Sequence, residues 1–120
     1  MNKLAKEIHA NNIEKGFFEG KKNIGEMLCL VHSEISEALE ADRKGRHCEY
    51  SMNVVNGLVE DKDFKESFQV YVKDTFADEM TDAIIRLLDL CAFLEIDIDQ
   101  HVKAKMRYNK LRSFKHGKNY

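Results

Sequence analysis

Proline is absent from this 120-residue chain, and stretches that alternate apolar with polar residues are scarce. Half-buried strands need that alternation, and proline is the residue that breaks helices, so the two absences together predict an all-helical fold. Cysteine is sparse as well: Cys29, Cys48 and Cys91 are odd in number, follow no C-x-x-C pattern, and two of them stand in apolar helical runs. A disulfide framework is therefore excluded, and reduced structural thiols are expected. No run approaches the length of a membrane span, and residues 1–10, with Lys3, Lys6 and Glu7, lack the apolar centre of a signal peptide. A soluble cytoplasmic protein without a membrane partner is the expectation. Neither sign of charge dominates: 19 lysines and arginines face 21 acids for a formal net charge of -2, which carries no overall signal for a polyanion. Internal repeats and low-complexity tracts are missing too, and the length fits one compact domain over 1–120 with a single core.

What the chain does have is apolar residues recurring at three and four positions. The spacing predicts a first helix over about 2–15, carrying Leu4, Ile8 and Ile13 and closing at Gly16. Asn23 is a candidate N-cap for a second helix that runs to about 44 and stops at Gly45. Its apolar arc comprises Ile24, Met27, Leu28, Val31, Ile35, Ala38 and Leu39. The segment 46–74 mixes polar clusters with scattered apolar positions and reads as a connection holding one or two short helices. A third main helix, over about 75–94, is apolar on nearly every side and keeps only a narrow stripe of Asp78, Glu79, Asp82, Arg86 and Asp89. Such a helix must be covered on most sides, and a second copy of the chain is the simplest cover. A last helix is expected from Asp97 or Asp99 to about 112.

Two acidic doublets stand on the most apolar of these helices, Glu34-x-x-Glu37 and Glu79-x-x-Asp82. Residues three apart share a helix face, so two such helices could bring four carboxylates to one point. Glu34 lies at the edge of the buried arc with Glu37 beside it, and Glu79 projects between Phe93 and Leu90 with Asp82 close by. Ionised carboxylates among such neighbours require a compensating cation, and hard divalent ions, magnesium or manganese, prefer oxygen ligands. The plain alternative is a solvated stripe, with Arg86 paired to Asp82 or Asp89. The five histidines form no E-x-x-H motif, which argues against a carboxylate di-iron centre, and zinc-site spacing is missing. His32 fits an ordinary polar or packing role.

The C-terminal stretch is basic. Lys105, Asn109 and Arg112 recur at four and three positions and share one side of the last helix, with Lys118 beyond it. This forms an anion-binding face, or a phosphate contact for nucleic acid, or a solvated helix end that favours cations. Beside four carboxylates it gains a narrower meaning, because metal ions and basic side chains together are what a triphosphate requires.

The ordered set Glu34-x-x-Glu37, Glu79-x-x-Asp82 and Lys105-x-x-x-Asn109-x-x-Arg112, followed by His116-Gly117-Lys118, resembles the MazG-like all-α nucleoside triphosphate pyrophosphohydrolases. Lys15-Gly16-Phe17-Phe18 and the run Ile24 to Ala38 are similar to that family's N-terminal pattern; the long 46–74 segment departs from it. The resemblance implies a four-helix-bundle-like fold completed by oligomerisation, as a homodimer or homotetramer. It implies magnesium-dependent hydrolysis of a (deoxy)nucleoside triphosphate between the α and β phosphates, giving the monophosphate and pyrophosphate. Glu34, Glu37, Glu79 and Asp82 would hold magnesium, or manganese in its place, with Glu37 also the general base. Lys105, Asn109, Arg112 and Lys118 would bind phosphate, and Asn12, Phe17 and Phe18 the base. Nucleic acid is not the expected partner. Phosphoribosyl-ATP pyrophosphohydrolase is the nearest alternative within the enzyme class; outside it stand a non-catalytic helical interaction module and a nucleic-acid-binding module.

Overall fold

A computed structural model describes residues 1–113. It contains six helices and, among the described residues, no strand: α1 (Asn2–Glu14), α2 (Ile24–Arg43), α3 (Met52–Asn56), α4 (Asp61–Tyr71), α5 (Phe76–Phe93) and α6 (Ile98–Leu111). The all-helical expectation holds, and the 46–74 connection contains two helices, α3 and α4, which pack on each other. Among the described residues no helix is long and apolar enough to cross a membrane. All three cysteines are free thiols.

Helix boundaries follow from local chemistry. Asn23 Oδ1 accepts from the Glu26 backbone N–H at 3.2 Å, and Asp97 Oδ1 accepts from the Gln100 N–H at 3.2 Å, so α2 and α6 each start on a side-chain cap. At the other end of α2, Gly45 takes a positive φ of 68°, its N–H bonding to Asp42 O at 2.9 Å while Arg46 N–H reaches Ala41 O at 2.8 Å. That pair of bonds satisfies carbonyls the helix leaves unpaired, and the left-handed position costs glycine nothing. The same closure ends α5, except that the left-handed residue there is Glu95, at φ 55°, with Glu95 N–H on Ala92 O and Ile96 N–H on Cys91 O.

The chain forms two compact units. One comprises 22–87 and holds α2, α3, α4 and α5 up to Leu87; the other comprises 1–21 with 88–120 and holds α1, the end of α5 and α6. In the first unit the core is built from small and branched side chains: Val31, Ala38, Ala41, Val55, Val72 and Ala83 are all buried. Of the apolar arc expected on α2, only Val31 and Ala38 are buried, whereas Ile24, Leu28, Ile35 and Leu39 are between 42% and 49% exposed. On α5, Met80, Ile84 and Leu87 share one side and are 40%, 51% and 42% exposed. The described residues leave that side of α5 without the cover it was expected to need.

In the second unit, Asn2 and Asp99 bond reciprocally, Asn2 N–H to Asp99 Oδ2 at 3.1 Å and Asp99 N–H to Asn2 Oδ1 at 3.2 Å, joining the starts of α1 and α6. Asp89 is 7% exposed, and its oxygens engage His9 Nδ1 at 2.8 Å and Asn12 Nδ2 at 2.9 Å. The His9 ring meets Phe18 edge-on at 4.5 Å, and Phe18 lies 5.1 Å from Phe93. A carboxylate taken out of water is thus satisfied by two polar partners, one of which, His9, packs against Phe18.

Candidate metal centre

The centre lies in the unit formed by 22–87 and begins with the register of α2 and α5. Glu34 shares a face with Val31 and Ala38, three residues before it and four after, and all three are buried. Glu79 stands between Thr75, four residues before it, and Ala83, four after, again all buried. Each glutamate therefore occupies a position that the helix pattern would give to a core residue. Glu34, Glu79 and Asp82 each present an oxygen, and those atoms lie within 4.8 Å of one another. Burying unpaired carboxylates costs several kcal/mol each, and two separate devices offset it.

The first is a counter-ion. Arg86 Nε donates to Glu34 Oε1 at 2.7 Å, across 52 positions of sequence, with the Glu34 side chain only 10% exposed. The second is a retained proton. Burial, then a hydrogen bond with Glu37, then the negative charges of Glu37, Glu34 and Asp78 push the Glu79 carboxyl up to about 7. Asp82 is raised as well, first by burial and then by Asp78 and Glu34, with Arg86 opposing.

Of the four acids expected to ligate metal, three converge. Glu37 is exposed and outside the group within 4.8 Å, but it is hydrogen-bonded to Glu79. The donor set is all oxygen, which suits a hard divalent cation. Arg86 was read from sequence only as a partner for Asp82 or Asp89; the residue it holds is Glu34, and no local spacing could have revealed that.

The remaining expected residues lie in the other unit. Lys105, Asn109 and Arg112 are carried by α6 and its C-cap, where the Lys105 Nζ and the Arg112 guanidinium stand 5.3 Å and 5.8 Å from the Tyr108 ring centre. Asn109 Oδ1 is buried and has no hydrogen-bond partner among the described residues. Lys118 lies outside the described residues. Asn12 donates to Asp89 and Phe18 packs on His9, while Phe17 is 62% exposed. Compared with protein-family models, curated proteins and solved structures, the chain matches none. The resemblance to the MazG-like enzymes rests on the ordered residues themselves.

Proposed function

We propose that the protein is a magnesium-dependent hydrolase that cuts a nucleoside triphosphate between its α and β phosphates. The observation that carries this reading is the convergence of Glu34, Glu79 and Asp82 on a shared point, two of them buried on otherwise apolar helix faces. Acids in such positions need a partner, and a divalent cation at the point they share supplies one. Glu34, Glu79 and Asp82, with Glu37 beside them, hold the magnesium, which supplies neutralisation of phosphate charge and a lowered pKa for water. Glu37, exposed and hydrogen-bonded to Glu79, accepts the proton of the attacking water. The resemblance to the MazG-like enzymes assigns the phosphate contacts to Lys105, Asn109 and Arg112.

Oligomerisation belongs to the same proposal. The apolar residues Ile24, Leu28, Ile35 and Leu39 on α2 and Met80, Ile84 and Leu87 on α5 are exposed, and a second copy of the chain covers them. Sedimentation across a dilution series should show a dimer or larger; a folded monomer throughout would refute this part.

The deciding assay incubates the protein with canonical and modified triphosphates plus magnesium and measures pyrophosphate against orthophosphate. Pyrophosphate with the matching monophosphate supports the reading, and orthophosphate alone or no turnover counts against it. The same apolar stripes favour one other reading, a non-catalytic helical interaction module. Calorimetry separates the two, since the module would bind no magnesium and lose nothing on Glu37→Gln.

A further inference from the structure

We propose that Arg86 is a positioning residue whose hydrogen bond sets the Glu34 carboxylate for the cation, an inference that rests on the metal reading above. Glu34 is the one acid of the converging group that comes from α2; Glu79, Asp82 and Arg86 all belong to α5. Arg86 follows Asp82 by four residues and Glu79 by seven, so the three share a face of α5. The 2.7 Å bond from Arg86 Nε to Glu34 Oε1 therefore ties the lone ligand of α2 to the helix that supplies the other two. A free glutamate side chain turns about three bonds, and this contact removes that freedom before any ion arrives. One N–H occupies one of roughly four lone-pair sites on a carboxylate, which leaves Oε2 and part of Oε1 for coordination.

Arginine also brings a positive charge, and that charge opposes a divalent ion. Exposure decides which effect prevails. The Arg86 side chain is 41% exposed, whereas Glu34 is 10% exposed. Water screens much of the arginine's repulsion, but it does not weaken the orientation of a buried carboxylate. Partners that orient metal ligands in this way typically carry 10–100-fold of the metal affinity.

The test uses the full chain and manganese alone, with free Mn2+ read by electron paramagnetic resonance so that no turnover is involved. Arg86→Met removes the donor at similar length; Arg86→Lys keeps the charge but not the fixed Nε geometry. Circular dichroism and the metal-free thermal midpoint establish that each variant is folded. The expected result is wild-type binding, about tenfold or greater weakening in Arg86→Met, and a several-fold weakening in Arg86→Lys. Wild-type or tighter binding in Arg86→Met overturns the proposal, as does wild-type binding in Arg86→Lys, which would assign the residue a charge role alone. Should Arg86→Met fail to fold, Arg86→Lys decides by the same criterion. A wild-type protein that binds no manganese refutes the metal reading itself, a result distinct from unchanged affinity in the variants.

Discussion

Replacing Glu79 by glutamine should stabilise the metal-free protein, and only at neutral to alkaline pH. Glu79 is 6% exposed and keeps its proton up to a pKa of about 7, against an ordinary value of 4.5. A folded-state pKa raised above the unfolded one means the native state holds more protons between those two values, so stability falls as pH rises from 4.5 through about 7. At 1.36 kcal/mol per pKa unit, the change from 4.5 to about 7 corresponds to a ceiling of about 3 kcal/mol. Water that reaches the rim of the cluster, and the loss of the hydrogen bond with Glu37, bring the net gain for Glu79→Gln nearer ~1–2 kcal/mol. For a chain of this length that is a rise of roughly 4–8 °C in melting temperature at pH 8.5. At pH 4, where both states of the wild type are largely protonated, the two proteins should melt together. With magnesium present the ranking should reverse, because ligand binding stabilises the wild type by about 2.7 kcal/mol at a hundredfold excess over Kd and the variant by much less. Chemical denaturation at pH 4 and pH 8.5, with and without magnesium, measures all four stabilities. A variant that is less stable than wild type at pH 8.5 without metal would show that Glu79 is an ordinary packed residue rather than one held at a cost for its chemistry.

Magnesium binding should expel about half a proton near pH 7, more at pH 6 and almost none at pH 9, because an ion-bound Glu79 is ionised; calorimetry in buffers of different ionisation enthalpy reads this, and proton-independent binding would contradict it. His9→Ala should cost about 2 kcal/mol in denaturant unfolding, because Asp89, 7% exposed, is then left with Asn12 as its remaining side-chain partner; a change under ~0.5 kcal/mol would mean water replaces the ring. Glu95→Gly should stabilise by about 1 kcal/mol, since Glu95 holds a φ of 55° that glycine adopts without strain, and a loss of stability would show that its side chain has a role elsewhere.

The sequence by itself determined the four main helices and the ends of α2 and α6, but not the bounds of α3 and α4. Those ends depend on contacts no longer than a turn or two: Asn23 capping Glu26, Asp97 capping Gln100, Gly45 closing α2. It also determined that Glu34 and Glu79 stand on core-facing positions, because Val31, Ala38 and Ala83 recur around them at helical spacing. Which carboxylates meet was not legible there. Helical periodicity places Glu34 and Glu37 side by side, yet Glu34 is buried in the converging group and Glu37 is exposed beside Glu79. The counter-ion was hidden for the same reason. Arg86 has acids within one turn, Asp82 and Asp89, and local spacing favoured them; the tertiary structure turns it to Glu34 52 positions away and gives Asp89 to His9 80 positions away. Local pattern specifies a face, since a helix repeats every 3.6 residues. Partnership across helices depends on how two faces are brought together and on which buried charge costs most to leave unpaired, and only the folded chain settles that.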